Sequence, residues 1–592
     1  MCGIAGLTAA HPDTVPLTHR GPDGHDWTTV ACDGGTLVSL LHTRLAIVDL
    51  SDAGNQPMSD ERGRYTMVFN GEIYNHLALR KLCEDKGHTF RSHMDGEVIL
   101  HLWEMEGLAC LRRLNGIFAV AVVDRVTGEL VLARDPLGVK PMMYVPRSDG
   151  SLVFGSEPSA LRELGADLGA PSVTALARFL TFLWVPNPDT PFGNVRALRP
   201  GHVLRWRPGR PIAEQPYHVP IPDPAQVRPR SMEAALSELD QQLGAASRRQ
   251  LLGDVPISLM ASGGIDSSLV WHFAGAGVDR AFTIEWQGHD AEGIDEDARA
   301  VKLLEDHLGT PVTFLDGRDA SYDYAPLGGD LFADPAFELT RLISRHARAV
   351  HRKVLLSGQG GDEVFGGYRR HQIAPFLGRG FTGPLGSLAA SVGSRTGARG
   401  EFATRLARAT SRRDPFERYM ELCTYSTVGE RARALGVSER EVSDDLVWAE
   451  HRAYWDRLPR GLSFLRKAMA LDLGVYLPGL GLSYVDRAGM EFGVEIRVPM
   501  LDLELLDWSF TLPDDLLVRR FHGKVLTHEL ARRVLPLAVV DRPKRGFGAP
   551  STTLQADHAP GERGHRQGRY FALAAAVLDD WLVREGAHRA WA

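Results

Sequence analysis

Residues 256–270 read PISLMASGGIDSSLV, and their interpretation decides the rest of the chain. Val255, Ile257 and Leu259 form the pattern of a short buried strand, Ser262 to Asp266 a tight polar turn, and Ser267 opens a helix. Glycines in such a turn let backbone N–H groups come close to an anion, and the helix behind it presents unpaired donors at the positive end of its dipole. Ser262, Ser267 and Ser268 add hydroxyl donors, so the stretch reads as a phosphate cradle. Asp266 would repel phosphates unless a divalent cation lay between them, which makes it a magnesium ligand. No lysine in the chain is followed by serine or threonine, so the pair that a P-loop requires is absent. The blander reading of these residues alone is a serine- and glycine-rich turn that binds nothing.

At 592 residues the chain is too long for one core and predicts about two to four domains. A net charge of −7 argues against a protein whose main task is holding nucleic acid. The five cysteines, Cys2, Cys32, Cys83, Cys110 and Cys423, contain no CxxC pair. Neither a disulfide framework nor a thiolate zinc site is suggested, and a reducing, cytoplasmic setting is expected. Apolar runs such as residues 117–123 are far too short to span a membrane, and the first residues lack the basic region of a signal peptide.

The turn at Ser262 resembles the SGGxDS loop of the ATP pyrophosphatases, which cleave ATP between its α and β phosphates to adenylate a substrate. Residues 353–368, KVLLSGQGGDEVFGGY, repeat the pattern of a buried strand running into a glycine-rich turn, now with Asp362 and Glu363. They resemble the segment that closes the other side of the ATP site in the asparagine synthetase family. The resemblance implies ATP and Mg2+ as cofactors, with Asp266 and Asp362 on the metal. It places Ala261, Ser262, Gly263, Gly264, Asp266, Ser267, Ser268, Ile284, Ser357 and Gly358 around the nucleotide. A further match to GxGxxG at Gly378, Gly380 and Gly383 has Pro384 next and no strand before it, and is set aside.

Cys2 follows the initiator methionine, whose removal would leave a cysteine carrying both a thiol nucleophile and an α-amine of pKa near ~7.7–8.0 as a built-in base. By itself a cysteine at position 2 means little. Downstream, however, come HRGPDG (19–24), HTRLAIVDL (42–50), NQPM (55–58), FNGEIYN (69–75), DGEV (95–98) and LARDPLGVKPMMY (132–144). With MCGIAG at the start, these resemble the glutaminase domain of class II glutamine amidotransferases, folded as N-terminal-nucleophile hydrolases. The resemblance implies that Cys2 attacks the side-chain amide of glutamine, and that Asn70 and Gly71 form the oxyanion hole. Arg44 would clamp the α-carboxylate and Asp95 the α-amine, with Leu45, Ala46, Ile47, Val48 and Glu72 completing the glutamine pocket. Where the family has a longer helical segment before HRGPDG, this chain has a short link containing Pro12 and Pro16.

Short β-prone runs at 65–69, 118–124, 129–133 and 152–155 fit a two-sheet sandwich. Proline density rises from residue 208, which sets the boundary. Residues 1–212 are expected as the glutaminase domain, an α+β four-layer sandwich. Residues 213–230 form a proline-rich linker, and 231–592 an α/β ATP-pyrophosphatase domain of the adenine nucleotide α-hydrolase-like type with a helical C-terminal part. In that domain an amphipathic helix at 231–252, a strand at 282–286 and a helix at 296–308 imply a parallel sheet with its ligand site beyond the strands' carboxyl ends. Residues 402–470 read as arginine-rich helix.

DRAGMEFGVEIRVPMLD (486–502), HGKVLTHELARRVLP and DRPKRGF again resemble asparagine synthetases, and imply that Lys524 and Lys544 stabilise pyrophosphate and the adenylated intermediate. Gln359, Glu491 and Arg497 are expected near the acceptor. The family usually has Asp or Glu at Gln359, and a neutral amide can orient ammonia but cannot take its proton. It commonly reads DRMSMAHSLE where this chain has DRAGMEFGVE.

Four readings follow: amidation of L-aspartate, amidation of another carboxylic acid such as a natural-product intermediate, a β-lactam-synthetase-like cyclase, and a non-catalytic relative. The first is the family default and the second its alternative; the N-terminal cysteine counts against a cyclase, and the intact catalytic set against a non-catalytic relative. Small-molecule substrates are expected, with no nucleic acid or membrane partner, and a homodimer as the candidate assembly.

Overall fold

Regular spacing of β-branched residues and turns in the first part of the chain gives twelve strands among the described residues. They are β1 (Gly3–Leu7), β2 (Gly24–Ala31), β3 (Leu37–Arg44), β4 (Met58–Ser59), β5 (Tyr65–Ile73), β6 (Gly116–Asp124), β7 (Glu129–Arg134), β8 (Met143–Pro146), β9 (Leu152–Gly155), β10 (Arg196–Ala197), β11 (His202–Trp206) and β12 (Ala213–Pro216). The computed structural model describes residues 2–11, 13–286, 295–325, 328–378, 397–542 and 569–586. The strands make two six-stranded sheets, ordered β10-β8-β9-β1-β3-β2 and β12-β11-β7-β6-β5-β4. The four runs expected as strands in this part of the chain fall inside β5, β6, β7 and β9.

Ile4, Val38, Leu40 and Phe154 from the first sheet meet Val68, Ala119, Ala121, Leu132 and Leu204 from the second in one buried cluster. The second sheet's far face is covered by helices His76–Glu84 and Glu97–Glu106 through Leu79, Cys83, Val98 and Leu102. Ala5, Leu7, Leu41 and Val153 on the first sheet's far face pack with Leu161, Leu176 and Phe179 from helices Pro158–Glu163 and Val173–Phe182. The result is the four-layer α/β/β/α arrangement expected. The linker expected to begin at residue 213 opens instead on the sheet's edge strand: β12 pairs with β11, His202 opposite Pro216. Proline is tolerated there because an edge strand has one unpaired side.

The second domain begins with helix Met232–Arg249, whose N-cap Ser231 accepts from Ala234 N. β13 (Ile257–Met260), β14 (Ala281–Glu285), β15 (Val312–Asp316), β16 (Val354–Leu356) and β17 (Glu495–Arg497) form a parallel sheet ordered β15-β14-β13-β16-β17. The chain leaves β13 in one direction for β14 and β15, then returns to the other side of β13 for β16. A crevice opens beyond the strand ends at such a reversal, and both glycine-rich turns, after β13 and after β16, lie there.

A helical subdomain follows, including helices Gly397–Ser411, Pro415–Cys423 and Phe464–Leu471. The continuous helical stretch Phe464–Met490 is long and apolar enough to cross a membrane, but 83% of that window is buried inside the protein. Its apolarity is accounted for by core packing.

Candidate active sites

At the edge of β1, Cys2 is buried and its backbone N donates to Asn70 Oδ1 at 2.9 Å. Asn70 lies in β5, itself fully buried, and its Nδ2 has no hydrogen-bond partner. Buried donors are almost always satisfied, so an orphan donor beside a buried thiol is a place prepared for an acceptor. The next residue must be glycine. Gly71 has φ +151°, and a Cβ there would lie 1.9 Å from Ile117 O on the neighbouring strand. The Cys2 thiol is pushed up by burial, with Glu72 and Glu495 adding to the effect, while a nearby amino-terminal charge and the Leu45 N–H oppose it.

Burial also pushes the Asp95 carboxyl up to about 6, although Ile73 N donates to it. Glu72 is held well above the usual carboxylate range by burial and by Glu495 and Asp95. Arg44 spends its guanidinium on the 49–55 loop, donating to Ser51 O at 2.7 Å, to Asn55 Oδ1 at 2.8 Å and to Asp49 O. The segment Leu45, Ala46, Ile47 and Val48 is pinned to the second domain. Ala46 N donates to Asp23, Lys353 Nζ reaches Asp23 at 2.7 Å and Ala46 O at 3.2 Å, and Asp254 N donates to Ile47 O at 2.8 Å.

Between the two domains lies a buried ionic network that the sequence reading did not assign. Arg20, fully buried, donates to Cys2 O at 3.3 Å, to Glu157 at 2.7 Å and to Asp486 at 3.2 Å. Arg487 bridges Glu157 at 3.4 Å and Asp330. The carbonyl of Cys2 is thereby one arginine away from the second domain. The pointer was available, since Arg20 and Asp486 stand in HRGPDG and DRAGM, but nothing local pairs residues 466 positions apart.

The nucleotide-type turns line a cavity of about 400 Å³, together with Thr340, Gln359, Tyr368, Tyr484 and Lys524. Gly263 has φ +68°, and a Cβ there would come within 2.8 Å of Asp297 O. Helix Ile265–Ala274 starts immediately after. Ser262 Oγ lies 2.9 Å from Ser267 Oγ and accepts from Gly264 N at 3.3 Å, which fixes the turn. Lys524 Nζ lies 2.7 Å from Asp362 Oδ1 and also contacts Asp266 Oδ2. Burial works against its charge, yet the two carboxylates hold the ammonium well above its ordinary range. Two hard anionic oxygens thus converge on one cation, a donor set that fits magnesium. The space is reserved by glycines: a Cβ at Gly361 would meet the Asp266 carboxyl at 2.5 Å, and one at Gly367 would meet Asp362 Oδ1 at 1.8 Å. Glu363, beside them, is pushed up to about 7 by burial and by Asp362, and Tyr368 OH donates to it at 2.7 Å.

Several expected contacts are elsewhere. Ser268 is not in the cavity wall; its hydroxyl turns back to Gly264 O at 2.8 Å. Ile284 is a buried residue of β14 outside the wall. Glu491 is taken by Arg341 through two hydrogen bonds, at 2.9 and 2.6 Å, outside the cavity. Arg497 is fully buried between Glu495 and Glu72, 3.1 Å from the latter, so it joins the domains and does not face an acceptor. Gln359 does line the cavity, its side chain against Gly481, where a Cβ would lie 2.4 Å from Nε2. Lys544 lies outside the described residues.

Comparison with known proteins agrees with this two-site arrangement. A family model described as a glutamine amidotransferase domain matches residues 1–218, and one described as asparagine synthase matches residues 238–567. Asparagine synthetase (glutamine-hydrolyzing) 1 of Bacillus subtilis is 28% identical over 581 residues, covering 93% of this chain and 87% of the relative. A Mycobacterium tuberculosis protein provisionally named asparagine synthetase (glutamine-hydrolyzing) is 31% identical over 560 residues, covering 90% of this chain and 83% of its own.

Proposed function

The chain belongs to the asparagine synthase family, and from that membership we propose that it transfers the amide nitrogen of glutamine to the side-chain carboxylate of L-aspartate at the expense of ATP. It is a glutamine-dependent carbon–nitrogen ligase. In the first domain the Cys2 thiol, its proton taken by the α-amine of the processed chain, attacks the glutamine amide. Asn70 Nδ2 and the Gly71 N–H receive the negative charge that develops on the amide oxygen, as preorganised donors do in acyl transfer. Ammonia leaves, and water releases glutamate from the thioester. In the second domain the acceptor carboxylate attacks the α-phosphate of ATP, pyrophosphate departs, and ammonia displaces AMP from the acyl-adenylate.

Asp266 and Asp362 are the residues that would hold magnesium, which when bound supplies charge neutralisation at the phosphates. Lys524, whose ammonium is held between Asp266 and Asp362, and Lys544 are both assigned from their motifs to stabilise the leaving pyrophosphate. The turn after β13 binds and orients the phosphates with its backbone N–H groups. Ammonia crossing between the domains beside these buried ionic contacts would be kept out of water, where it would be protonated. A reducing, cytoplasmic setting suits an enzyme with ATP as substrate and five free cysteines.

The observation that carries the reading is the orphan donor of Asn70 beside the buried Cys2. Glutamine labelled with 15N in its amide tests it, given with Mg-ATP, L-aspartate and excess unlabelled ammonium. The label should enter the asparagine side chain with the intact enzyme, and Cys2→Ala should make only unlabelled asparagine from ammonium. Labelled product from Cys2→Ala would overturn the assignment of the nucleophile.

A further inference from the structure

Outside both sites, three side chains converge on the outer helical layer of the first domain. Glu61 stands in the turn between β4 and β5, His88 follows helix His76–Glu84, and His101 lies on helix Glu97–Glu106. One ligand-type atom from each lies within 4.8 Å of the others. His101 is 2% exposed, and neither of its ring nitrogens has a hydrogen-bond partner. An imidazole so deeply buried with both nitrogens unsatisfied is rare unless something else uses them. Its Nδ1 lies 3.9 Å from Glu61 Oε1, and its Nε2 3.6 Å from Glu97 Oε1. The His88 and His101 rings are 5.0 Å apart and tilted by 52°, so they do not stack.

The roles of the neighbouring carboxylates differ. Glu97 is committed to structure, accepting from Arg91 N at 2.7 Å and from Ser92 N at 2.9 Å. It can take the Nε2–H of His101 but not leave its place. That is the carboxylate–histidine pairing that sets the tautomer of a metal-bound imidazole and frees the other nitrogen for the ion. Glu61 is exposed, and its Oε1 accepts from Thr89 N at 2.5 Å, which holds the carboxylate next to His88. Glu104 Oε2 lies 3.8 Å from His88 Nδ1, within reach of a fourth position.

We propose that Glu61, His88 and His101 bind one divalent transition-metal ion of the zinc class, with Glu97 orienting His101 and Glu104 or water completing the shell. Two imidazoles and a carboxylate suit zinc and its neighbours, whereas magnesium prefers oxygen alone. Ligand atoms in a tetrahedral site with bonds of about 2.1 Å are about 3.4 Å apart, so an inward movement of little more than an ångström closes the shell. Bound metal would tie the β4–β5 turn to the helix that starts just after Asp95. It would thereby stiffen the segment that carries the expected glutamine α-amine contact.

The full-length chain without a polyhistidine tag is stripped with chelator and saturated with magnesium to occupy the nucleotide site. It is then titrated with Co2+ as a spectroscopic probe and with Zn2+ against a competing chelator. One equivalent of Co2+ should give visible absorption of a four-coordinate N/O site, and Zn2+ should displace it. His88→Ala and Glu61→Gln should each weaken Zn2+ binding at least tenfold, with ammonia-dependent asparagine formation unchanged as the check on folding. Equal zinc binding by the intact protein and by both variants, or no binding by the intact protein beyond its magnesium sites, would overturn the proposal. The cluster would then be an ordinary imidazole–carboxylate pairing.

Discussion

Replacing Asn70 isolates one donor. Its Oδ1 accepts from Cys2 N at 2.9 Å, while its buried Nδ2 has no partner in the protein. Asn70→Asp keeps an oxygen for the Cys2 nitrogen and the same shape, but removes the free donor and places a negative charge where an oxyanion must form. Loss of one oxyanion-hole donor costs about 10²–10³ in kcat, or about 2.7–4 kcal/mol of transition-state stabilisation. Asn70→Ala should therefore lower glutaminase kcat about 10²–10³-fold, and Asn70→Asp at least as much. An interaction made only in the transition state lowers kcat and kcat/KM together, so KM for glutamine should hardly move. Glutamate release measured with a coupled dehydrogenase gives these constants, and pyrophosphate release driven by ammonium chloride gives the control, which should stay at the level of the unaltered enzyme. A fall of less than tenfold in glutaminase kcat, or a parallel fall in the ammonium-driven reaction, would refute the oxyanion role.

Gly367→Ala puts a Cβ 1.8 Å from Asp362 Oδ1 and 2.4 Å from Lys524 Cε. Pyrophosphate formation should fall at least a hundredfold while glutamine hydrolysis persists, and retention of both would show that this carboxylate–lysine pair is not needed. Asp486→Asn removes a counter-charge from buried Arg20. Breaking such a pair costs about 3–5 kcal/mol, visible as a lower urea midpoint, and an unchanged midpoint would mean the network carries no net stability. Asp95 is raised from 3.8 to about 6 in the folded protein. A raised carboxyl carries no penalty below its unfolded pKa and loses stability as pH rises through about 6, by up to about 3 kcal/mol. Asp95→Asn should therefore raise the melting temperature at pH 8 and leave it nearly unchanged at pH 4; stabilisation at pH 4 alone would contradict the assignment.

Both glycine-rich turns were legible in the sequence because their chemistry is local. Gly263 and Gly360 take backbone conformations open to few other residues, with φ of +68° and +92°. Asp266 and Asp362 follow them within a few positions, and the apolar runs before them could only be buried strands. Strands β5, β6, β7 and β9 were legible for the same reason. What failed depended on partners far away in the chain. Glu491 looked like an acceptor contact until Arg341, 150 residues earlier, claimed both its oxygens. Arg497 was drawn to Glu72 of the other domain. Arg20 has no role readable from its motif, because its meaning comes from Glu157 and Asp486. The edge strand Ala213–Pro216 was hidden by the prolines around it, since proline density marks an edge strand and a linker alike.

The proposed function joins glutamine hydrolysis to adenylation of aspartate in one chain. Pyrophosphate, AMP, glutamate and asparagine measured together, with Mg-ATP and glutamine and with or without L-aspartate, test it most directly. Pyrophosphate release should require aspartate, and AMP, pyrophosphate and asparagine should appear in equal amounts with at least as much glutamate. Glutamate release with no aspartate-dependent pyrophosphate would contradict aspartate as the acceptor, and pyrophosphate release without any amide product would contradict the coupling itself.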